Sequence, residues 1–182
     1  YDTVGTYTLT RQIMLSCAGS FKIIGVGKPK ILLNFATVPS GNKIRSIGVK
    51  FENIEVENIK NNTTSNTFFT FIPLQVGGVS KNNLEVNKCS AKELINFTTT
   101  EPPCTNTFVN IDATGVSDSV IVKIEDNEFI NFKTPVDIIG GYNTLVTIKN
   151  NVFKQESLYN NLANQFYSNI HLNKSFSMLK IE

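Results

Sequence analysis

Tryptophan is missing from this chain, histidine occurs only at position 171, and arginine is confined to Arg11 and Arg45. A single histidine with no cysteine or second histidine beside it argues against a zinc site. The three cysteines, Cys17, Cys89 and Cys104, show no C-x-x-C spacing and cannot all pair. Free buried thiols are therefore expected, with a Cys89 to Cys104 bridge as the alternative. No apolar run approaches the roughly 18 residues of a spanning helix, so membrane insertion is not expected. The stretch from Tyr1 to Cys17 lacks the basic flank and apolar core of a secretory signal. With 17 basic and 15 acidic side chains the net charge is +2, too small and too evenly spread for a nucleic-acid footprint.

What is present points to strands. Hydrophobic residues make up 41% and charged ones 18%, the balance of a folded protein. At about 150 residues per domain, a chain of 182 is expected to form one domain. Asparagine and threonine are abundant and alanine is scarce, which favours tight turns and strands over helices.

A short pattern recurs along the chain. Val122-Lys123-Ile124-Glu125-Asp126-Asn127-Glu128-Phe129 and Val146-Thr147-Ile148-Lys149-Asn150-Asn151-Val152-Phe153 are its clearest copies, 24 residues apart. Weaker copies begin at Val49, Leu84 and Ile170. A second pattern precedes the first: Leu74-Gln75-Val76-Gly77-Gly78, Ile111-Asp112-Ala113-Thr114-Gly115 and Val136-Asp137-Ile138-Ile139-Gly140. These lie 10, 11 and 10 residues before the first pattern, with Leu33-Asn34-Phe35 as an earlier copy.

Period-two alternation puts Val122 and Ile124 on one face and Lys123 and Glu125 on the other. Gly115 and Gly140 are expected to permit one bend, and Asn127 or Asn151 to adopt the left-handed conformation at a second. Each unit then reads strand, bend, strand, bend, short strand. One unit cannot bury its apolar face alone, but units stacked as parallel strands share a continuous core. The expected fold is all-β, a right-handed single-stranded parallel β-helix of about six coils spanning 1–182, a segment of a longer protein. A β-sandwich is the competing fold; it would need hairpin signals and would not keep Gly and Asn in step. The polar stretch from Gln155 to Gln165 reads as an insertion.

The V-K-I-E-D-N-E-F and V-T-I-K-N-N-V-F copies carry a resemblance. So does the opening Gly5-Thr6-Tyr7-Thr8-Leu9, Phe21-Lys22-Ile23-Ile24-Gly25-Val26-Gly27 and Ile31-Leu32-Leu33. Together they resemble the pectin-lyase-like right-handed parallel β-helix superfamily, which includes polysaccharide-cleaving enzymes, surface adhesins and phage tailspikes. The Gly25-Val26-Gly27 segment has no third glycine or following helix and reads as a bend, not a nucleotide loop. The catalytic signatures of the superfamily's plant-cell-wall enzymes, N-T-D, D-D, G-H-G and R-I-K, are absent. The resemblance therefore implies a glycan-binding or structural module of a viral tailspike or cell-surface adhesin, extracellular or on a virion surface. Its partners would be a polysaccharide or glycan and further copies of itself, in a trimer or a longer fibre. No cofactor or metal is expected.

Candidate site residues follow from the columns such stacking creates. Asn34, Gln75, Asp112 and Asp137 share one place in the second pattern, which puts Asp112 and Asp137 on adjacent strands. Two carboxylates so placed disfavour joint ionisation, and a spacing near 5 Å would suit the acid and nucleophile of retaining glycoside hydrolysis. They are the catalytic candidates for the alternative function, a polysaccharide-degrading hydrolase or lyase. A polar ladder in water is the plainer reading. Asn34, Gln75, Tyr142 and Tyr159 are the ligand-binding candidates, the tyrosines as rings that stack on a sugar face. Lys50, Glu85, Lys123, Thr147 and His171 are expected in one outward row, and Glu52, Asn87, Glu125, Lys149 and Asn173 in a second. Phe68, Phe69, Phe71, Phe129, Phe132 and Phe153 are expected in the core.

Overall fold

A computed structural model describes residues 5–9, 13–33, 42–59, 67–75, 81–94, 107–114, 116, 119–132, 134–141, 143–154, 170–173 and 178–182. These residues form three parallel sheets of six strands each, and they contain no helix. Sheet one stacks β1 (Thr6–Leu9), β4 (Lys30–Leu33), β7 (Glu55–Ile59), β10 (Ser90–Leu94), β13 (Glu128–Ile130) and β16 (Val152–Lys154). Sheet two stacks β2 (Met14–Ser16), β5 (Asn42–Ser46), β8 (Thr67–Pro73), β11 (Thr107–Asp112), β14 (Val136–Ile139) and β17 (Ile170–Asn173). Sheet three stacks β3 (Ser20–Ile24), β6 (Gly48–Glu52), β9 (Asn82–Asn87), β12 (Val120–Glu125), β15 (Thr144–Lys149) and β18 (Met178–Ile181). Each strand pairs with the strand three later in the chain, always parallel, so the architecture is that of a parallel β-helix. A sandwich of antiparallel strands is inconsistent with that pairing.

Sheet three carries the register that the first pattern predicts. Leu84, Val122 and Val146 align, as do Lys50, Glu85, Lys123 and Thr147. The row ends differently from expectation: Lys180 of β18 lies beside Thr147, whereas His171 belongs to sheet two beside Asp137. Glu52, Asn87, Glu125 and Lys149 align likewise. Asn173 is not in that row, because it faces Ile139 on sheet two. The expected copy at Ile170 is thus a sheet-two strand, and Leu179-Lys180-Ile181 is the sheet-three copy.

The bend from sheet three to sheet one repeats with φ near 55°. Asn53 (φ 54°), Lys88 (φ 55°), Asp126 (φ 57°) and Asn150 (φ 53°) hold the left-handed conformation at equivalent places. Asn and Asp tolerate it best, since their short polar side chains can bond locally. The left-handed residue is therefore Asp126 or Asn150, one place before the asparagine expected. Asn127 and Asn151 instead turn into the coil. Asn127 Oδ1 accepts from the Cys89 amide at 2.9 Å, and Asn127 Nδ2 donates to the Val86 carbonyl at 2.8 Å. Asn151 repeats the unit on the next coil: its Oδ1 accepts from the Asn127 amide at 3.0 Å, and its Nδ2 donates to the Ile124 carbonyl at 2.7 Å.

The core lies between the three sheets. Phe51, Phe69, Phe71, Phe108 and Phe129 are among its largest fully buried side chains. The expected Phe68 and Phe132 are buried with them, and Phe153 is half-buried, stacked on Phe129 with centroids 5.4 Å apart. In β8 and β11 two consecutive residues point inward, Phe68-Phe69 and Phe108-Val109, because the chain rounds a corner as it enters sheet two. At the same corner both the Phe108 and Val109 amides donate to the Pro135 carbonyl. Cys89 is a free buried thiol whose Sγ donates to the Asn87 carbonyl, and burial pushes it up to about 11. A Cys89 to Cys104 bridge is therefore not formed. Cys104, Gly115 and the 155–165 stretch lie outside the described residues.

Glycine is used for room more than for bending. Gly140 follows β14 without a positive φ, and a Cβ on its neighbour Gly141 would lie 2.8 Å from the Ala113 carbonyl oxygen. A Cβ on Gly25 would lie 2.1 Å from the Asn53 carbonyl oxygen. The Gly25-Val26-Gly27 segment joins β3 to β4 as a bend, with Gly27 at φ 72°.

Candidate functional site

The outward face of sheet two holds most of the chain's candidate chemistry. Its register aligns Lys43, Thr70, Asn110, Asp137 and His171 in one lane. A second lane, two residues further along each strand, contains Arg45, Ile72, Asp112, Ile139 and Asn173. Asp112 therefore pairs with Ile139, and Asp137 with Asn110. The two carboxylates expected side by side are displaced by one strand and two residues, roughly 8 Å between backbones. The shared-proton argument loses its geometry at that separation.

Each aspartate has its own partner. Asp112 is exposed, and its Oδ1 accepts from the Thr114 amide at 3.0 Å, an Asx turn that holds the carboxylate over the end of β11. Asp137 is half-buried, and its Oδ1 lies 2.7 Å from His171 Nδ1 across the β14–β17 pair. That contact fixes the imidazole and leaves Nε2 on the outer side, with the His171 side chain 54% exposed. Sequence reasoning placed His171 on another sheet and so missed the pair.

Gln75 and Asp112, expected in one column, do meet, but as the walls of a cleft. Arg45, Ile72, Pro73, Gln75, Asp112, Thr114 and Val116 line an open cleft of about 240 Å³ where sheet two ends. Arg45, missed by the sequence reading, comes from β5, Gln75 follows β8, and Thr114 follows β11. The cleft thus offers a guanidinium, a carboxamide, a carboxylate and a hydroxyl beside an apolar strip of Ile72, Pro73 and Val116. Such a set donates and accepts hydrogen bonds in several directions, the complement of a polyhydroxylated ligand. Asn34, Tyr142 and Tyr159 lie outside the described residues. Among those described, no group of three His, Cys, Asp or Glu could hold a metal ion.

The other two sheets carry ion pairs, within strand β6 and between neighbouring strands. Lys30 Nζ meets Glu57 Oε1 at 2.7 Å, Lys50 Nζ meets Glu52 Oε2 at 2.8 Å and Glu85 Oε2 at 3.6 Å, and Lys154 pairs with Glu128. The hydrogen bond from Lys50 holds Glu52 below the usual carboxylate range, and that from Lys154 does the same for Glu128. The hydrogen bonds to Glu57 and Glu52 hold Lys30 and Lys50 above theirs. The lowered carboxylates stabilise the fold above their ordinary value of 4.5, and that contribution disappears as pH falls through their folded values. The raised lysines contribute below 10.5 and lose it as pH rises through theirs. The buried Cys89 thiol, raised from 9.0 to about 11, costs stability once the unfolded chain ionises above 9.0, so the urea midpoint is expected to be flat from pH 4.5 to 9.0 and to fall on both sides. In Glu128→Gln the acid limb should be shallower; an unchanged limb would remove Glu128 from the account.

Comparison of the chain with models of protein families, with curated proteins and with solved structures found no match.

Proposed function

We propose that the chain is a glycan-binding module: a right-handed, single-stranded β-helix of about six coils. It resembles the pectin-lyase-like superfamily and serves as part of a viral tailspike or cell-surface adhesin, outside the cell or on a virion. The observation that carries this reading is the sheet-two cleft, where Arg45, Gln75, Asp112 and Thr114 surround an apolar strip. Planar carboxylate, carboxamide and guanidinium groups bond adjacent hydroxyls in pairs, and the apolar strip suits the C–H face of a sugar ring. The strands behind the cleft are stacked and hydrogen-bonded, so little ordering accompanies binding. Assembly into a trimer or longer fibre belongs to the same reading, supported by exposed Met14, Ile24, Val26, Leu179 and Ile181.

A glycan array followed by calorimetry tests the module. Asp112→Asn and Arg45→Ala are each expected to weaken the best glycan at least tenfold, about 1.4 kcal/mol. Both positions are exposed, so the circular dichroism spectrum should not change. No binding on the array, or binding that both variants retain, would overturn the assignment. Sedimentation velocity on the same preparation reads the assembly. Cleavage of a polysaccharide is the second reading, and the hydrogen-bonded Asp137–His171 pair favours it. New reducing ends that vanish in Asp137→Asn would move the proposal to it.

A further inference from the structure

Sheet three has an outward notch that neither the rows of ion pairs nor the sheet-two cleft accounts for. Ser20, Gly48 and Asn83 align across β3, β6 and β9, and Gly48 is the gap between two polar side chains. An open cleft of about 220 Å³ lies over it, lined by Ser20, Lys22, Gly48, Lys50, Asn83 and Glu85 among others. The Cβ position at Gly48 is 2.8 Å from Ser20 Oγ, so the hydroxyl already overhangs the gap. Lys22 and Lys50 face each other directly in the β3–β6 register. Like charges so placed repel. Lys50 is held by Glu52 and Glu85, whereas no acidic side chain pairs with Lys22 among the described residues.

We infer that the notch over Gly48 is an oxyanion site, taking a sulfate or carboxylate group between the Lys22 ammonium, the Ser20 hydroxyl and the Asn83 carboxamide. The charge of the ligand would pair with the Lys22 ammonium, the cation of the notch that no carboxylate already holds among the described residues, and the missing side chain at Gly48 gives it access to the strand surface on the side away from Glu85. An ammonium, a hydroxyl and a carboxamide can each donate to an oxyanion, and the ammonium supplies charge assistance. This site sits on a different sheet from the Arg45–Asp112 cleft and does not depend on it.

Inorganic sulfate and glucuronate, titrated separately into isotopically labelled protein and followed by backbone amide shifts, test the assignment. Saturable shifts are expected at Ser20, Lys22, Gly48 and Asn83 with at least one probe, and the tighter one identifies the oxyanion geometry. Lys22→Gln should weaken binding at least tenfold and Ser20→Ala several-fold. Lys123→Gln, three strands from Lys22 on the same sheet, and Asp112→Asn should change it less than twofold. Absence of saturable shifts with both probes, or equal loss in Lys22→Gln and Lys123→Gln, would overturn it.

Discussion

Phe108→Ala is expected to lower stability by about 3–5 kcal/mol, the range for a buried phenylalanine cut to alanine. The ring is fully buried and touches four others: Phe68 stacked at 4.9 Å, Phe129 tilted at 5.5 Å, and Phe69 and Phe132 edge-on at 6.2 and 6.3 Å. Two of those contacts cross to other coils, so truncation opens a cavity between tiers as well as within one. Neighbours held by parallel ladders cannot collapse into it freely, which keeps the cost near the upper end. At roughly 2–4 °C per kcal/mol for a chain of this size, the thermal midpoint should fall by about 10 °C or more. Phe108→Leu keeps most of the volume and should cost clearly less. Phe153→Ala, at a half-buried position, should be milder than Phe108→Ala. Urea titrations of the three variants check the order. A loss below about 1 kcal/mol for Phe108→Ala would mean that the ring cluster is not packed as described.

Phe108 also shows where the sequence stops being readable. Alternation works inside a strand, and it found Val122, Ile124, Val146 and Ile148 because sheet three is straight there. At the corner into sheet two, Phe108 and Val109 are buried consecutively, which breaks the period of two. A reading that begins at Ile111 passes over the ring at the centre of the core.

The candidate site was misread for a related reason. Gly115 and Gly140 stand at similar distances from the following strand, but equal spacing in sequence does not give equal register. Hydrogen bonds fix register only along the strands, and the connection from sheet two to sheet three varies freely in length. It is one residue, Ile47, between β5 and β6, but several residues between β8 and β9 or between β11 and β12. Ile138, not Val136, therefore sits beside Ile111, and Asp137 moves two places from Asp112. The bend from sheet three to sheet one has a fixed length from β6 onward, set by one left-handed residue, and there the rows came out in register. His171 failed differently. Ile170-His171-Leu172 alternates as well as Leu179-Lys180-Ile181 does, and alternation alone does not say which of three sheets a strand joins. Gln75 and Asp112 were found by the wrong column yet share a real cleft, while Arg45 left no signal, being one arginine in an ordinary alternating strand.

Asn127→Leu should rival the phenylalanine truncation although it keeps the branching and the number of side-chain heavy atoms. The asparagine is 2% exposed and meets three groups: the Cys89 amide, the Val86 carbonyl and Asn151 Oδ1. The Cys89 amide belongs to the bend of the preceding coil, where the turn takes it out of the strand ladder, and the Val86 carbonyl lies in β9 just before that bend; both residues are buried. Leucine would leave the Cys89 amide unmet, at about 1–3 kcal/mol, and would remove the bond donated to the Val86 carbonyl, at about 1 kcal/mol, so a loss of roughly 2–4 kcal/mol is expected in urea titration. Asn127→Asp separates this ladder from mere packing. The introduced carboxylate could still accept from the Cys89 amide, but it would face the Val86 carbonyl and Asn151 Oδ1 with no proton to donate. Burial against those two oxygens raises its folded pKa above the unfolded value, so the folded state binds the extra proton and this variant gains stability as pH falls from 7 toward 5. The unsubstituted chain gains nothing over that interval, its lowered carboxylates losing their contribution only below it. Stability that rises from pH 7 toward 5 in the variant, against a flat profile in the unsubstituted chain, would establish Asn127 as a donor to the coil beneath it; parallel profiles would show that the side chain merely fills space.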